Sequence, residues 1–167
     1  MDFKDLIKKR KSIRKYDDRK LERDLIEEAL DMVIQSPTAK NVQNRTYTVI
    51  TDEKILEDLA NVVGDELGLK SYNFMGAPAL VLVSAPEDSN RSTQDAAIAL
   101  TYLYLAATDL GLGACWINQF YGLKSKAYQE FLDEMGIKGR VQAGMVLGYP
   151  GEDPKEKAKD EIVNFIG

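Results

Sequence analysis

Hydrophobic residues follow two alternating patterns along this chain, one with the period of a helix and one continuous over strand-length runs. Apolar residues between Leu21 and Ile34 recur three and four positions apart, which predicts a helix with one buried face that ends at Ser36-Pro37. The same reasoning predicts, in chain order, a strand over 47–50, a helix over 53–63, a strand over 79–84, a helix over 92–110, a strand over 114–117, a helix over 124–135 and a strand over 142–147.

The composition of two of these elements, and of the residues after the last one, also indicates where each lies in the protein. The run 79–84 is continuously apolar, which is typical of a strand buried on both faces. The helix over 92–110 carries small and apolar residues around most of its circumference, so we expect it in a core or an interface. Residues 152–167 form a charged tail that ends in apolar side chains, and we expect a partner subunit to bury them.

The length and the charge narrow the class of protein. A chain of 167 residues with 44% hydrophobic content is long enough for one domain, predicted over 1–167, but not for two. The net charge of -5 disfavours a nucleic-acid partner unless cations are gathered locally. The N-terminal residues lack the apolar run of a secretion signal, and no stretch approaches the roughly 18 apolar residues of a membrane span. We therefore predict a cytoplasmic protein with no membrane partner.

The chain contains no histidine and one cysteine. Disulfides within the chain, zinc sites built on thiolates or imidazoles, and Ser-His or Cys-His nucleophiles are thereby excluded from the sequence itself. An enzyme of this composition needs carboxylates, lysines or tyrosines as its chemical groups, or a bound cofactor that brings its own reactivity. We favour the cofactor.

The segment from Arg10 to Tyr16 places four cations and a serine within seven residues of an acidic protein. Arginine offers a planar fork of donors that matches phosphate oxygens, and serine adds a short neutral donor. Arg10, Ser12 and Arg14 are therefore candidates for binding a phosphomonoester. The alternatives are a solvated basic segment or a weak contact with nucleic acid or a membrane.

Two further segments could approach a flat ring. Residues 36–44 form a loop of small and amide side chains, which lets backbone donors and acceptors come close to a ring edge, although an ordinary polar connection has the same composition. Gly111 and Gly113 permit a tight turn before Trp116, which lies either near a ring system or in the core. Cys115 is predicted to be a packed small residue rather than a nucleophile.

These segments, in this order and spacing, resemble the FMN-dependent nitroreductase family, and the resemblance covers nearly the whole chain. It continues through Ala77-Pro78 before the strand 79–84, Asp95 on the apolar helix, residues 111–117, and Leu147-Gly148-Tyr149-Pro150. The resemblance implies an α+β fold in which helices flank a central mixed, mainly antiparallel sheet. It also implies a homodimer that binds FMN at its interface and uses NADH or NADPH as electron donor.

The resemblance assigns roles to residues of this sequence. Arg10, Ser12 and Arg14, with Lys11 assisting, are expected to bind the FMN phosphate and ribityl chain. The loop residues expected to reach the isoalloxazine from the other subunit are Ser36, Pro37, Thr38 and Asn41. The strand end whose backbone comes near the ring is Trp116, Ile117 and Asn118. Lys155, Lys157 and Lys159 stand where the family often returns an arginine to the phosphate, and Lys157 and Lys159 are the candidates.

Two departures from the family bear on the acceptor pocket. Thr101 and Tyr102 occupy helix positions where the family often has Gln-Asn, and the region 61–76 is short where many members insert helices. The leading hypothesis is ping-pong transfer of two electrons from NAD(P)H to a nitroaromatic, quinone or similar electron-poor acceptor. The alternative is an FMN-binding redox or regulatory module with little turnover.

The substitution Arg14→Ala is expected to weaken FMN binding by roughly 1.5 to 3 kcal/mol, because a charge-assisted hydrogen bond to the phosphate is lost. Titration of the apoprotein with FMN, followed by flavin fluorescence, measures this loss. Unchanged flavin retention would contradict the assignment of Arg14.

Overall fold

The computed structural model describes residues 2–87, 91–155 and 160–167. The helices of these residues are α1 (Phe3–Lys9), α2 (Arg23–Val33), α3 (Glu53–Leu67), α4 (Ser92–Asp109) and α5 (Lys126–Glu134). The strands are β1 (Thr46–Ile50), β2 (Ala79–Ala85), β3 (Gly113–Ile117) and β4 (Arg140–Gly148). Short 3-10 turns lie at Ala39–Asn41, Phe74–Gly76 and Gln119–Gly122. Each predicted helix and strand is therefore present.

One sheet carries the strands of the described residues, in the order β1-β2-β4-β3. Each neighbouring pair of strands is antiparallel. A parallel element enters at the β3 edge, where Ser12 forms an isolated parallel bridge with Ala114. The predicted α+β fold, with helices around a mainly antiparallel sheet, is confirmed. Among the described residues, no helix is both long and apolar enough to span a bilayer.

Side-chain alternation along β2 divides the core into two layers. Ala79, Val81 and Val83 face the layer that contains the buried side chains of α2 and α4. Leu80 and Leu82 face the opposite layer, to which α3 and α5 contribute. Every residue of β2 is buried, which confirms the prediction that this strand lies between two layers. Helix α4 buries apolar residues on most of its turns, as its composition predicts.

The differences from the predicted bounds come from local capping. Helix α3 continues to Leu67, four residues beyond its predicted end at Val63, and ends where Gly68 adopts a left-handed φ of 66°. Helix α5 starts only after Ser125, whose hydroxyl accepts a hydrogen bond from the backbone N–H of Tyr128. Helix α1 was not predicted, because its apolar residues Phe3, Leu6 and Ile7 span little more than one turn; none of its residues is buried.

Two glycines provide a test of the packing between the β3–β4 connection and β2. Gly136 and Gly139 both adopt a left-handed φ, 68° and 75°, but a Cβ at Gly139 would clash with the carbonyl oxygen of Ala85 whereas Gly136 has open space. We expect Gly136→Ala to lower the free energy of unfolding by roughly 1–2 kcal/mol, the cost of the left-handed conformation alone. Gly139→Ala should lower it by a further ~1–3 kcal/mol through the steric conflict.

Urea unfolding of both variants measures this difference, with Gly136→Ala as the matched control. Equal losses of stability would show that the contact between Gly139 and Ala85 has no role in the packing.

Candidate functional site

The basic segment lies along the outer edge of β3. The backbone N–H of Ile13 donates a hydrogen bond to the carbonyl oxygen of Ala114 over 2.9 Å. The side chain of Ile13 is buried against Gly113, where an added Cβ would lie only 2.9 Å from the Ile13 side chain. The absence of a side chain at Gly113 thus lets the segment approach the strand. As a result, Ser12 is fixed beside the strand that leads to Trp116.

Tyr104 of α4 connects the segment to the strand. Its hydroxyl oxygen lies 3.0 Å from the Ser12 Oγ and accepts a hydrogen bond of 3.0 Å from the backbone N–H of Trp116. The guanidinium carbon of Arg10 lies 5.1 Å from the centre of the Tyr104 ring, within the range of a cation–π contact. One buried side chain therefore brings together Arg10, Ser12 and Trp116.

Tyr104 was not predicted as a residue of the site. The sequence contains one signal for it, which is a tyrosine within the apolar helix α4. Such a tyrosine is expected to be buried, and a buried phenol hydroxyl usually has a hydrogen-bond partner. The identity of that partner depends on the tertiary contact with β3, which the helical pattern does not contain.

The chain after β4 holds the other cations of the segment. The backbone N–H of Arg14 donates to Glu152 Oε1 over 2.6 Å, while the Arg14 side chain is exposed. Lys11 Nζ lies 2.8 Å from Asp153 Oδ1, with side-chain exposures of 25% and 92%. An ion pair this exposed stabilises weakly. Arg14 is thus left with a side chain able to meet a ligand, whereas Lys11 is partly neutralised.

Cys115 is buried in the layer of the core on the α3 and α5 side, as predicted for a packed residue. Burial raises the pKa of its thiol, and the positive charge of Arg14 opposes that shift. The thiol therefore stays protonated near neutral pH, which does not favour a nucleophilic role.

The predicted ring-binding loop is attached to the first turns of α4. The backbone N–H of Ala39 donates to Asp95 Oδ1 over 2.9 Å. Arg45 donates to the carbonyl oxygens of Ser36 and Asp95, each over 2.8 Å. Ser36 is buried and its hydroxyl donates to the carbonyl oxygen of Val33 over 2.6 Å. Asp95, which the sequence only associated with the family, is thus the carboxylate that holds this loop in place.

The exposed part of the loop has an unusual backbone. Lys40, Asn41 and Gln43 adopt left-handed φ values of 54°, 55° and 51°. Such conformations cost free energy in residues other than glycine and persist where surrounding contacts hold them. The Gln43 backbone N–H donates to Thr38 Oγ1 over 3.0 Å, and its side-chain amide donates to Asn41 Oδ1 over 2.6 Å. Pro37 and Asn41 are exposed, so this part of the loop is accessible to a ligand or to another subunit.

Within one chain, the loop and the basic segment contact α4 at different positions along the helix axis. Asp95, which holds the loop, and Tyr104, which contacts Ser12, are separated by nine residues of the same helix. At the helical rise this is about 13 Å along the axis. The structure therefore does not bring Ser36, Pro37, Thr38 and Asn41 into direct contact with Arg10, Ser12 and Arg14.

The remaining predicted residues are placed as follows. Trp116 is half-buried and packs against the layer on the α2 and α4 side, while the side chain of Ile117 is buried in the opposite layer. A role of Ile117 toward a ligand would therefore use its backbone only. Asn118 is exposed at the start of the turn Gln119–Gly122. Lys155 is exposed, and Lys157 and Lys159 lie outside the described residues.

Comparison with known proteins identifies the family. The sequence profile of the Nitroreductase family matches residues 7–68 and 65–149, which together span most of the chain. The chain belongs to the Nitroreductase family.

Individual relatives agree with this assignment. A protein of Methanothermobacter thermautotrophicus named "Putative NADH dehydrogenase/NAD(P)H nitroreductase" is 32% identical over 162 residues, which cover 92% of this chain and 80% of the relative. A nitroreductase of Bacteroides fragilis, solved with bound FMN, superimposes with a TM-score of 0.89 at 25% identity over 100% of both chains. An FMN-dependent nitroreductase of Clostridium difficile R20291 gives a TM-score of 0.80 at 25% identity over 96% of each chain.

The substitution Asp95→Ala is expected to release the loop, because the backbone N–H of Ala39 loses its acceptor. The free energy of unfolding should fall by roughly 1–3 kcal/mol, and hydrogen exchange at the Ala39 amide should accelerate. Gln94→Ala, an exposed position one residue away, is the matched control and should change neither quantity. If exchange at Ala39 is unaffected by Asp95→Ala, the carboxylate does not hold the loop.

Proposed function

We propose that this protein is an FMN-dependent oxidoreductase that moves two electrons from NADH or NADPH to nitroaromatic, quinone or similar electron-poor acceptors. The observation that carries the proposal is the fixed position of the basic segment: Ser12 and Arg10 are held on Tyr104 at the edge of β3, beside Trp116. The FMN in the solved Bacteroides fragilis relative supports the choice of cofactor. We further propose that residues 1–167 form one cofactor-binding domain.

The donor set of the segment fits the phosphate of FMN. A phosphomonoester carries close to two negative charges and offers several acceptor oxygens. Arg10 and Arg14 supply guanidinium groups and Ser12 supplies a neutral hydroxyl, while Lys11 adds a cation that Asp153 partly neutralises. These donors lie within residues 10–14, a segment whose backbone is fixed to β3. In a chain with a net charge of -5, this local positive charge favours a small anionic ligand over a polyanion.

When bound, FMN supplies the two-electron chemistry, so a ping-pong exchange between nicotinamide and acceptor requires no histidine in the chain. The residues of the chain then bind and orient. Arg10, Ser12 and Arg14 hold the phosphate, and Lys157 or Lys159 adds charge to it. The strand end formed by Trp116, Ile117 and Asn118 would come near the ring edge, where a backbone N–H not already engaged, unlike that of Trp116, would stabilise negative charge.

We also propose that the protein is a homodimer in which the loop of one subunit completes the site of the other. The separation of about 13 Å along α4 supports this, because the loop does not contact the phosphate-binding segment of its own chain. Ser36, Pro37, Thr38 and Asn41 would then approach the ring of the partner's FMN. Phosphate and ring would be held by different subunits.

The end of the chain supports the same assembly. Ile162, Val163, Phe165 and Ile166 are between 72% and 98% exposed, which is costly for an isolated subunit. Strand β1 pairs with β2 along one edge, and in the described part of the chain no strand pairs with its other edge. A groove beside that edge is lined in part by Ile26, Leu30, Val49 and Leu56. We propose that the apolar tail of the partner subunit lies in this groove and covers its apolar lining.

The holoprotein is expected to be a dimer by light scattering, and the double substitution Phe165→Ser with Ile166→Ser should shift it toward the monomer because less apolar surface is buried. FMN should dissociate more readily from this variant. Asn164→Ser, between these positions and equally part of the exposed tail, is the control and should remain dimeric. A wild-type holoprotein that is monomeric would refute the dimer.

The alternative function is an FMN-binding redox or regulatory module with little turnover. The observation that favours it is the atypical surface of α4, where Thr101 and Tyr102 are exposed. In addition, residues 68–78 connect α3 to β2 with only the short turn Phe74–Gly76, so no inserted helix covers this region.

Steady-state oxidation of NADH and of NADPH with a nitroaromatic acceptor separates the two functions. We expect sustained consumption of at least one nucleotide over many turnovers, because an enzyme is reoxidised by the acceptor after each cycle. Consumption that stops after about one equivalent per flavin would favour the module. Protein that is colourless, and stays so after incubation with FMN, would overturn both.

A further inference from the structure

The hydroxyl of Tyr104 has more hydrogen-bonding partners than a packing residue requires. A phenol hydroxyl carries one proton and can accept through its lone pairs. The backbone N–H of Trp116 donates to this oxygen, which leaves the proton of Tyr104 available for another partner. The Ser12 hydroxyl lies 3.0 Å away, where either oxygen can be the donor. The direction of this bond decides which proton remains free for a ligand.

The surroundings of Tyr104 favour donation from the tyrosine to the serine. Within the described residues, the hydrogen bonds of the Tyr104 hydroxyl are those with the Trp116 N–H and with Ser12 Oγ. The Trp116 N–H can only donate, so the serine oxygen is the acceptor offered to the phenol proton. In the opposite arrangement the phenol proton of Tyr104, a residue only 9% exposed, would have no acceptor among the described residues. Burial makes that arrangement unfavourable.

Once Ser12 accepts from Tyr104, its own proton points elsewhere. Ser12 is half-buried, so part of its surface remains accessible to a ligand. The neighbouring Ile13 fixes its position, because the Ile13 N–H is hydrogen-bonded to β3. A hydroxyl that accepts one hydrogen bond donates the next more strongly, because the bonds polarise one another. Ser12 is then prepared as a donor toward an anion before any ligand arrives.

We propose that Tyr104 is a positioning residue that holds the Ser12 hydroxyl as a hydrogen-bond donor toward the FMN phosphate. This inference rests on the proposed function. The same ring carries Arg10 on its face, so one side chain of α4 arranges a neutral and a charged phosphate-binding group together. Tyr104 itself does not need to touch the flavin.

A purely structural role would have a different signature. Loss of the Tyr104 hydroxyl also removes the acceptor of the Trp116 N–H, so some loss of stability is expected under either role. Riboflavin contains the same ring and ribityl chain as FMN but no phosphate. A positioning role through Ser12 affects FMN alone, whereas a general distortion of the site affects both flavins.

The test measures the Kd of FMN and of riboflavin for the full-length apoprotein by quenching of flavin fluorescence. The proteins are the wild type, Tyr104→Phe, Ser12→Ala and the double variant. Loss of a neutral hydrogen bond predicts that Tyr104→Phe weakens FMN about fivefold, and loss of a charge-assisted bond predicts that Ser12→Ala weakens it at least about tenfold. The double variant should bind FMN no more weakly than Ser12→Ala, and riboflavin binding should be unchanged throughout.

Tyr128→Phe is the matched control, since Tyr128 is a buried tyrosine in the layer on the α3 and α5 side whose hydroxyl has no hydrogen-bond partner in the described residues. It should leave both Kd values unchanged. Equal weakening of FMN and riboflavin by Tyr104→Phe, or additive losses in the double variant, would overturn the positioning role while FMN binding by the wild type still stands. Wild-type protein that binds neither flavin would instead remove the proposed function, and this inference with it.

Thermal unfolding establishes that each variant is folded. If Tyr104→Phe does not fold, Ser12→Ala keeps the test decisive, because the proposal requires its loss of affinity to be confined to FMN. A loss shared by riboflavin would contradict it.

Discussion

The candidate site depends on the free edge of β3. A strand at the edge of a sheet presents backbone donors and acceptors that require partners. Here the carbonyl of Ala114 accepts from Ile13 and the N–H of Trp116 donates to Tyr104, so the edge is satisfied by the basic segment and by α4. This pairing fixes the backbone of the basic segment, and with it the positions of its cationic side chains relative to β3. Without it, Arg10 and Ser12 would be charged and polar groups on a loop.

Charge acts on this arrangement in two ways. The acidic chain as a whole repels polyanions, while the segment around Arg14 gathers positive charge locally. Glu152 and Asp153 hold the segment through the backbone of Arg14 and the side chain of Lys11, and they do so without engaging the Arg14 guanidinium. The acidic residues thus contribute to positioning while the arginine stays available to a ligand.

The architecture was largely predictable from the hydrophobic pattern. The apolar run of β2 and the small-residue helix α4 have the composition that burial on both faces demands, and both are buried. The bounds of α3 and α5 were not predictable from periodicity, because the left-handed Gly68 and the Ser125 cap decide them. The roles of Tyr104 and Asp95 were missed for a related reason: each acts through a partner that is distant in sequence.

By itself, the sequence determined the alternation of helices and strands, the absence of histidine chemistry, and the resemblance to the Nitroreductase family through its short motifs. These properties depend on the order and type of neighbouring residues. Only the tertiary structure decided that Ser12 meets Tyr104, which is 92 positions away in the chain, and that the loop near Ser36 is attached to α4 well away from the basic segment. Such contacts depend on how the layers pack on the sheet, and local periodicity contains no information about that packing.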